Sequence, residues 1–273
     1  LLTFVYLQSS AQDSTRKPMM VQTIGRLPYL EYGLGDDRLG GAKMTYLDSG
    51  VVMLVVDSAD GDYRVQLSKN HSAYISKENV KPVPEKRPRP YYLTSNWRVF
   101  GNDTTGFDYV TINLDERLPY RSIQQINPSR IAIDIFGATS NSNWISQFNS
   151  VKEIKNSWYE QIEDDVMRVF IELKHSQHWG YNISYDSVFP RLIIKVKRQP
   201  LVLTLSKLKI AIDAGHGGTN TGASGKSSGI LEKDYTLKFA NELNKLLKKN
   251  NVKTFMTRTT DTTLDMATRV EML

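Results

Sequence analysis

Lys209-Ile-Ala-Ile-Asp-Ala-Gly-His-Gly-Gly218, followed downstream by Leu231-Glu-Lys-Asp234, decides the fold of the carboxyl-terminal part of this chain. The apolar run at its start predicts a buried strand, and the glycine-rich turn after it presents one histidine, His216. Glu232 then begins a strongly periodic segment that predicts a helix from about Glu232 to Lys249. In an open α/β sheet, strand ends and the following helix starts face the same crevice. We therefore expect His216 and Glu232 to lie together and to bind a divalent metal.

The residues around this pair predict one strand–helix–strand unit of a larger parallel sheet. Strands are expected at 208–213 and 252–257, and a second helix near Leu264. Helical spacing predicts that one stripe of the first helix faces the core, formed by Tyr235, Phe239, Leu243, Leu246 and Leu247.

A phosphate-binding loop is the main alternative for this turn, because Gly217–Gly229 is rich in Gly, Ser and Thr and leads into a helix. The spacing of a P-loop is missing, however, and so is the dinucleotide fingerprint. The two-part pattern therefore favours a metal site over a nucleotide site.

The same two strings resemble the zinc-dependent N-acetylmuramoyl-L-alanine amidases, through Asp213-x-Gly-His-Gly-Gly218 and Leu231-Glu-Lys-Asp234. The resemblance implies that Zn2+ is held by His216 and Glu232. A further histidine and the catalytic glutamate of that family are expected beyond Leu273, so no catalytic residue is predicted within this chain. Zinc lowers the pKa of bound water to about 7 and polarises a carbonyl, which suits amide hydrolysis.

Five further residues are predicted to support this site. Asp213 is a candidate partner that holds the His216 ring in one tautomer. Gly217 and Gly218 allow the tight turn and leave room for a bulky substrate. Arg258 and Arg269 match arginines common in the family and are expected to be structural or substrate-orienting.

Two β-rich segments precede the metal motif. Residues 13 to about 27 are predicted to be a polar, basic tail, and residues 28–82 a small all-β barrel, because short strand-like runs alternate with turns. This segment resembles bacterial Src-homology-3-like modules, through Leu39-Gly-Gly41, Gly50, Asp62-Tyr-Arg-Val65 and Ala73-Tyr-Ile75. Residues 83–90 are predicted to be a proline-rich linker.

Residues 91–198 contain alternating strands that predict an all-β sandwich. They resemble the AMIN domain, an envelope-targeting module found before amidase domains, through Arg130-Ile-Ala-Ile-Asp-Ile135, Val151-Lys-Glu-Ile-Lys155 and Arg168-Val-Phe-Ile-Glu-Leu173. The predicted fold is therefore multidomain: a barrel, a sandwich, and the first βαβ portion of an α/β zinc amidase domain at 207–273.

Composition narrows the cellular setting. The chain of 273 residues has no cysteine, so disulfides and thiolate zinc sites are excluded. Its net charge of +6 favours anionic partners such as cell-wall polymer, anionic lipid or nucleic acid. The basic proline-rich linker lacks interleaved aromatic residues, so we expect no nucleic-acid binding. No stretch is long and apolar enough for a transmembrane anchor.

The apolar start of the chain, residues 1–11, resembles the end of a secretory signal peptide, and a buried first strand is the alternative. We therefore expect an exported protein of the periplasm or cell envelope.

The resemblance to the zinc-dependent amidases implies a peptidoglycan hydrolase that cleaves the amide bond between N-acetylmuramic acid and L-alanine of the stem peptide. A divisome or envelope activator protein is a possible partner. The alternative is a non-catalytic cell-wall-binding protein, since a third zinc ligand is missing from the pattern. This chain alone is expected to be inactive and only partly ordered at 207–273. His71, His175 and His178 are expected to be surface residues.

Overall fold

The computed structural model describes residues 19–34 and 41–273. The predicted signal segment 1–11 and part of the Leu39-Gly-Gly41 motif lie outside these ranges. The first seven strands are β1 Met19–Thr23, β2 Tyr29–Glu31, β3 Lys43–Tyr46, β4 Val52–Ala59, β5 Asp62–Ser68, β6 His71–Ser76 and β7 Val80–Pro82. The next ten are β8 Tyr92–Asn102, β9 Phe107–Leu114, β10 Tyr120–Gln125, β11 Arg130–Phe136, β12 Ala138–Thr139, β13 Ile145–Gln147, β14 Ile154–Glu163, β15 Val166–Leu173, β16 Tyr181–Tyr185 and β17 Arg191–Lys197. The carboxyl-terminal elements are β18 Lys209–Ile212, α1 Glu232–Lys249, β19 Lys253–Met256 and α2 Met266–Met272.

The described residues are mostly β-strand, with α1 and α2 as their α-helices, as the sequence predicts. The prediction of a tail over 13–27 is wrong for its last part. Met19–Thr23 forms β1, and Val21 is fully buried there. Its sequence, Met-Met-Val-Gln-Thr, is short and only weakly alternating, so the pairing of β1 with β4 and β7 decides its structure rather than local pattern.

The first segment forms one antiparallel sheet of seven strands in the order β3-β2-β6-β5-β4-β1-β7. Register shifts between β4 and β5 and between β5 and β6 mark irregularities of the kind that bend strands. The Src-homology-3-like classification of this sheet stays a prediction.

The second segment contains two sheets. Strands β10-β11-β15-β14 form an antiparallel sheet, and β12-β8-β9-β17-β16 form the second, to which β13 adds by pairing with β8. Trp97 of β8 is fully buried, and its ring lies 5.4 Å from that of Tyr159. The inward faces of both sheets are apolar, which explains the alternation seen in the sequence.

Both β-rich segments belong to one compact unit, which also includes Tyr181–Val196. Most of their buried apolar residues form one continuous cluster that draws on both segments, so the two segments share one core. Polar contacts join them as well. The backbone N–H of Tyr185 donates to the Asp48 carboxylate, and His71 lies 2.7 Å from Glu163.

The predicted linker is part of this packing. Val83 is buried against Met20 and Val52, and its backbone N–H donates to the Met20 carbonyl at 2.9 Å. Lys86 pairs with Glu116. These contacts hold the proline-rich segment against the unit over part of its length.

The second compact unit contains Gln177–Gly180 and Lys197–Leu273. Here β18 and β19 pair in parallel, with α1 between them in the chain, as predicted. Helix α1 has the predicted bounds, Glu232–Lys249. Acidic residues occupy its first turn and lysines its last, which suits the helix dipole.

The predicted core stripe of α1 is wrong at most positions. Ala240 is buried with Ile212 and Ala214, and Leu237 and Leu247 pack beside them. Four members of the predicted stripe are exposed: Tyr235, Phe239, Leu243 and Leu246. The helix has apolar side chains on two neighbouring faces, and the β18–β19 pair covers only the face with the small residue Ala240. Hydrophobic period alone could not tell these faces apart.

Candidate metal centre

The end of β18 delivers His216 through a left-handed turn. Ile212 and Ala214 are buried, which anchors the chain just before the turn. His216 itself has φ +58°, an unusual value for a residue with a side chain. This conformation costs free energy and persists only when surrounding contacts hold it. His216 therefore lies in the turn after β18 and not in the strand itself.

The His216 imidazole and the Glu232 carboxylate meet, as the sequence predicts. His216 Nε2 lies 3.3 Å from Glu232 Oε2, and both side chains are partly exposed. Two ligand atoms about 2.1 Å from one zinc ion at the tetrahedral angle are about 3.4 Å apart. The observed separation therefore fits a shared zinc ion as well as a direct hydrogen bond.

Glu232 is held from both ends by the preceding loop. The Ala223 backbone N–H donates to Glu232 Oε2 at 2.8 Å, and the Glu232 backbone N–H donates to the Ala223 carbonyl at 2.9 Å. The hydrogen bond from Ala223, with the nearby His216, lowers the pKa of Glu232. The carboxylate is thus ionised at neutral pH, the form that binds a metal.

The same loop argues against the phosphate alternative. The Lys233 backbone N–H donates to the Thr221 carbonyl, as that of Glu232 does to Ala223. Two amide groups at the start of α1 are therefore occupied by the protein's own carbonyls. A phosphate would need such groups free.

Asn220 is the partner of the second ring nitrogen of His216, a role that the sequence pattern did not predict. Its Oδ1 lies 3.0 Å from His216 Nδ1 and also accepts the backbone N–H of Gly222. A hydrogen on Nδ1 leaves the Nε2 lone pair directed at Glu232. The role predicted for Asp213 thus falls to Asn220 in this geometry. Asp213 instead accepts from Thr257 and pairs with Arg269.

Substitution of Asn220 tests this role. Asn220→Ala is expected to weaken zinc binding by the intact protein about 10- to 100-fold, because the imidazole loses its orienting acceptor. Asn220→Asp keeps an acceptor oxygen and is expected to keep most of the affinity. Competition with a chromophoric chelator measures both. Equal affinities for the alanine variant and the unmodified protein would contradict the assignment.

Arg258 and Arg269 are both buried, which assigns them to the support of the turn. Arg258 donates to the carbonyls of Ala214 and Gly215 at 2.8 and 2.9 Å. Arg269 donates to the carbonyl of His216 at 2.6 Å. Burial, together with the charge of Arg269, lowers the pKa of Arg258. The two guanidinium groups thus fix the backbone from which the imidazole projects.

The glycines of the turn are required by close approach rather than by room for a substrate. A Cβ at Gly217 would lie 2.4 Å from the Thr262 carbonyl oxygen, and one at Gly218 would lie 2.0 Å from Thr263 Oγ1. At Gly222, where φ is +66°, a Cβ would lie 2.8 Å from His216 Cδ2 and 2.7 Å from Glu232 Oε2. Gly222 is therefore the glycine that leaves space beside the two predicted ligands.

Lys233 and Asp261 close the other side of the turn. Lys233 Nζ donates to the Gly218 carbonyl at 2.9 Å and to Asp261 Oδ2 at 2.7 Å. Asp261 Oδ1 accepts the Gly218 backbone N–H. The hydrogen bonds from Lys233 and then Gly218 lower the pKa of Asp261. The lysine follows Glu232 directly in the motif, a signal that could have pointed to this role.

Within residues 19–34 and 41–273, no group of three His, Asp or Glu side chains is placed to hold a metal ion. His71 and His175 each contact a carboxylate, of Glu163 and Glu153, and are only partly exposed. Both histidines therefore lie at the surface, as predicted, and each has a carboxylate as its neighbour.

Comparison with known families assigns two parts of the chain. Residues 210–273 match the family model described as N-acetylmuramoyl-L-alanine amidase, and residues 99–205 match that of the AMIN domain. The chain therefore carries an AMIN domain followed by a segment of the amidase family, as the sequence resemblance implied.

Curated relatives agree with the second assignment. The chain is 48% identical over 61 residues to the "Probable cell wall amidase LytH" of Staphylococcus aureus. The proteins of that name from strains USA300 and NCTC 8325 / PS 47 show the same identity. The matched segment covers 22% of this chain and 21% of each relative. The chain thus spans about a fifth of the length of these relatives.

None of the helices in the described part of the chain combines the length and the apolar character needed to cross a membrane.

Proposed function

We propose that this chain belongs to a zinc-dependent peptidoglycan amidase of the cell envelope, which cleaves the amide bond between N-acetylmuramic acid and L-alanine of the stem peptide. The observation that carries the proposal is the 3.3 Å approach of His216 Nε2 to Glu232 Oε2. It occurs within a segment that matches an amidase family model. The AMIN domain and the β-sheet before it would hold the enzyme on the cell wall.

The residues of this chain would contribute two metal ligands and their support. His216 and Glu232 would hold the zinc ion, which supplies a Lewis acid and a water of lowered pKa. Asn220 would keep the His216 Nε2 lone pair available, and Ala223 would keep the Glu232 carboxylate ionised and aimed. Arg258 and Arg269 would hold the turn still.

Chelation of zinc tests the proposal. Treatment of the intact protein with a zinc chelator is expected to stop the release of stem peptides from purified sacculi, and added zinc should restore it. Mass spectrometry should find peptides with a free L-alanine amino end and unmodified glycan strands. Release of shortened glycan, or unchanged activity in the chelator, would contradict the proposal.

A non-catalytic wall-binding protein is the second candidate, and one observation favours it. The described residues offer two converging ligands and no third. Two ligands bind zinc weakly and do not form a hydrolytic site. The 273-residue chain is therefore expected to release no peptide from sacculi by itself, and peptide release by this chain would overturn that expectation.

A further inference from the structure

The outer face of the sheet formed by β8, β9 and β17 carries positive charge without negative charge. Buried residues alternate with more exposed ones along β9 and β17, so every second side chain points away from the core. Arg98, Arg191 and Lys195 are three of these outward side chains. Among the described residues of the three strands, Asp108 is the acidic one, and it is fully buried, where it accepts three backbone N–H groups.

Aromatic side chains accompany these cations. Phe100 and Tyr109 face each other in the register of β8 and β9, and their rings stack with centroids 5.2 Å apart. Trp144 and Phe148 lie directly before and after β13 and are 68% and 49% exposed. The two-residue alternation of a strand places both on the side of Ser146, which pairs with Arg98. We call this surface, with its aromatic rings and three cations, the cationic face.

The outer face of the other sheet of this domain is different, because its cations have carboxylate partners. Arg121 and Arg168 both pair with Asp134, at 2.9 and 2.5 Å, and Lys155 pairs with Glu172 at 2.7 Å. Charge on that face is therefore largely neutralised within the protein.

The cationic face lacks such partners. Arg191 Nε donates to the neutral amide of Asn113 at 2.8 Å, and within the described residues neither Arg98 nor Lys195 forms an ion pair. At its border, the carboxylate of Asp103 is already paired with Lys152 at 2.9 Å. The face therefore keeps a positive charge that an anionic partner would complement.

The kind of partner follows from the shape of the sheet and from the exposed rings. Strands β8, β9 and β17 each have neighbours on both sides, so a peptide cannot add to them as a further strand. The phenyl ring of Phe148 has no polar atom for hydrogen bonding to a sugar. In contrast, Trp and Tyr side chains favour the headgroup level of a bilayer, and Lys and Arg bind anionic lipid surfaces.

We propose that the cationic face binds the surface of a bilayer that contains anionic phospholipid. Trp144 and Phe148 would lie at the headgroup level, and Arg98, Arg191 and Lys195 would lie against the lipid phosphates. This contact is peripheral, and it goes beyond the proposed function because it needs neither the metal pair nor the cell wall. It would keep the protein at the membrane side of the wall.

Co-sedimentation with vesicles tests this proposal on the 273-residue chain, with a zinc chelator present so that the metal pair plays no part. Binding is expected to vesicles of phosphatidylcholine mixed with phosphatidylglycerol, and to fall as salt is added. Vesicles of phosphatidylcholine alone should bind much more weakly. The apolar residues 1–11 would bind both kinds of vesicle, so the difference between the two is the quantity to compare.

Variants of the cationic face should reduce this difference. Arg98→Ala and Lys195→Ala are each expected to weaken binding to the anionic vesicles about fivefold, and the double variant about 25-fold. Phe148→Ser should weaken it about tenfold. The matched controls are Lys81→Ala, at an exposed cation of β7, and Tyr91→Ser, at a ring that is also 49% exposed. Both should bind normally.

Tryptophan fluorescence shows whether the predicted ring reaches the lipid. Brominated acyl chains should quench the emission of the bound protein. Trp144→Phe is expected to keep the binding but to lose most of this quenching, since Trp97 is fully buried.

Several results would overturn the proposal: equal binding to both kinds of vesicle, unchanged binding of the Arg98, Lys195 and Phe148 variants, or equal losses in the two controls. Retention on purified sacculi that depends on these side chains, without binding to vesicles, would assign the face to wall polymer instead. The outcome is separate from that of the proposed function. An active zinc amidase that ignores vesicles would refute the membrane contact alone, and vesicle binding by a protein without amidase activity would leave it intact.

Discussion

Replacement of His216 by alanine is expected to remove zinc from the intact protein and to abolish peptide release from sacculi. The imidazole supplies one of the two ligand atoms that converge here, at 3.3 Å. Loss of an outer partner of a metal ligand already weakens binding about 10- to 100-fold, and loss of a ligand should exceed that. Metal analysis by mass spectrometry and the sacculus assay measure the two effects.

Glu232 allows a finer version of the experiment. Glu232→Ala removes both the charge and the acceptor for the Ala223 N–H, so the loop should loosen as well. Glu232→Gln keeps that acceptor and loses only the charge. We expect both variants to lose zinc, but only the alanine variant to show faster hydrogen exchange at Ala223.

Two control variants should retain zinc. Glu242→Ala removes an exposed carboxylate from the same helix, and His175→Ala removes a histidine that lies 2.9 Å from Glu153. Full zinc content and full activity in the His216 variant would refute the metal assignment. Loss of zinc in the control variants would point to unfolding instead.

Replacement of Arg258 by alanine is expected to destabilise the amidase segment by about 3–5 kcal/mol. This buried guanidinium donates to five acceptors, which are the carbonyls of Ala214, Gly215, Lys233 and Thr260 and the hydroxyl of Thr236. Each hydrogen bond from a charged donor contributes about 1.5–3 kcal/mol, and the loss also leaves a cavity. Since the contacts are not additive, the estimate lies well below their sum.

Hydrogen exchange and denaturant unfolding of the intact protein measure this effect. Exchange should rise at Gly217 and Gly218, because the turn loses its support, and zinc affinity should fall with it. Arg258→Lys keeps the charge but not the planar fork, so it should be nearly as unstable. Arg98→Ala, which removes an exposed arginine of β8, is the control and should leave stability unchanged. A stable Arg258→Ala variant with weak substrate binding would instead make this arginine substrate-orienting.

The sequence predicted the amidase segment well where local signals were strong. Helix α1 has the predicted bounds, since an acidic first turn and a lysine-rich last turn mark its ends. The approach of His216 to Glu232 followed from parallel-sheet topology alone. The role of Asn220 could not be predicted, because it depends on the left-handed conformations of His216, Gly217, Gly218 and Gly222. These backbone conformations turn the chain so that the side-chain amide of Asn220 reaches the His216 ring.

Packing between elements was harder to predict than the elements. The exposed Phe239 and the buried Ala240 are neighbours in α1, and only the position of β18 and β19 decides which one is covered. The sequence predicts a barrel, a linker and a sandwich as separate parts, and it did not predict that the barrel and the sandwich share one core. Alternating apolar residues look the same in sequence whether they pack within one sheet or against the next segment.

The continuous apolar interior of the first unit has a consequence for how such proteins are recombined. Val65 and Leu67 belong to the same buried cluster as Leu118 and Phe136 of the AMIN domain. If either half were exchanged for an unrelated domain, the apolar residues of the remaining half that pack against it would be exposed to water. We therefore expect that the two halves have to be kept together when the protein is engineered.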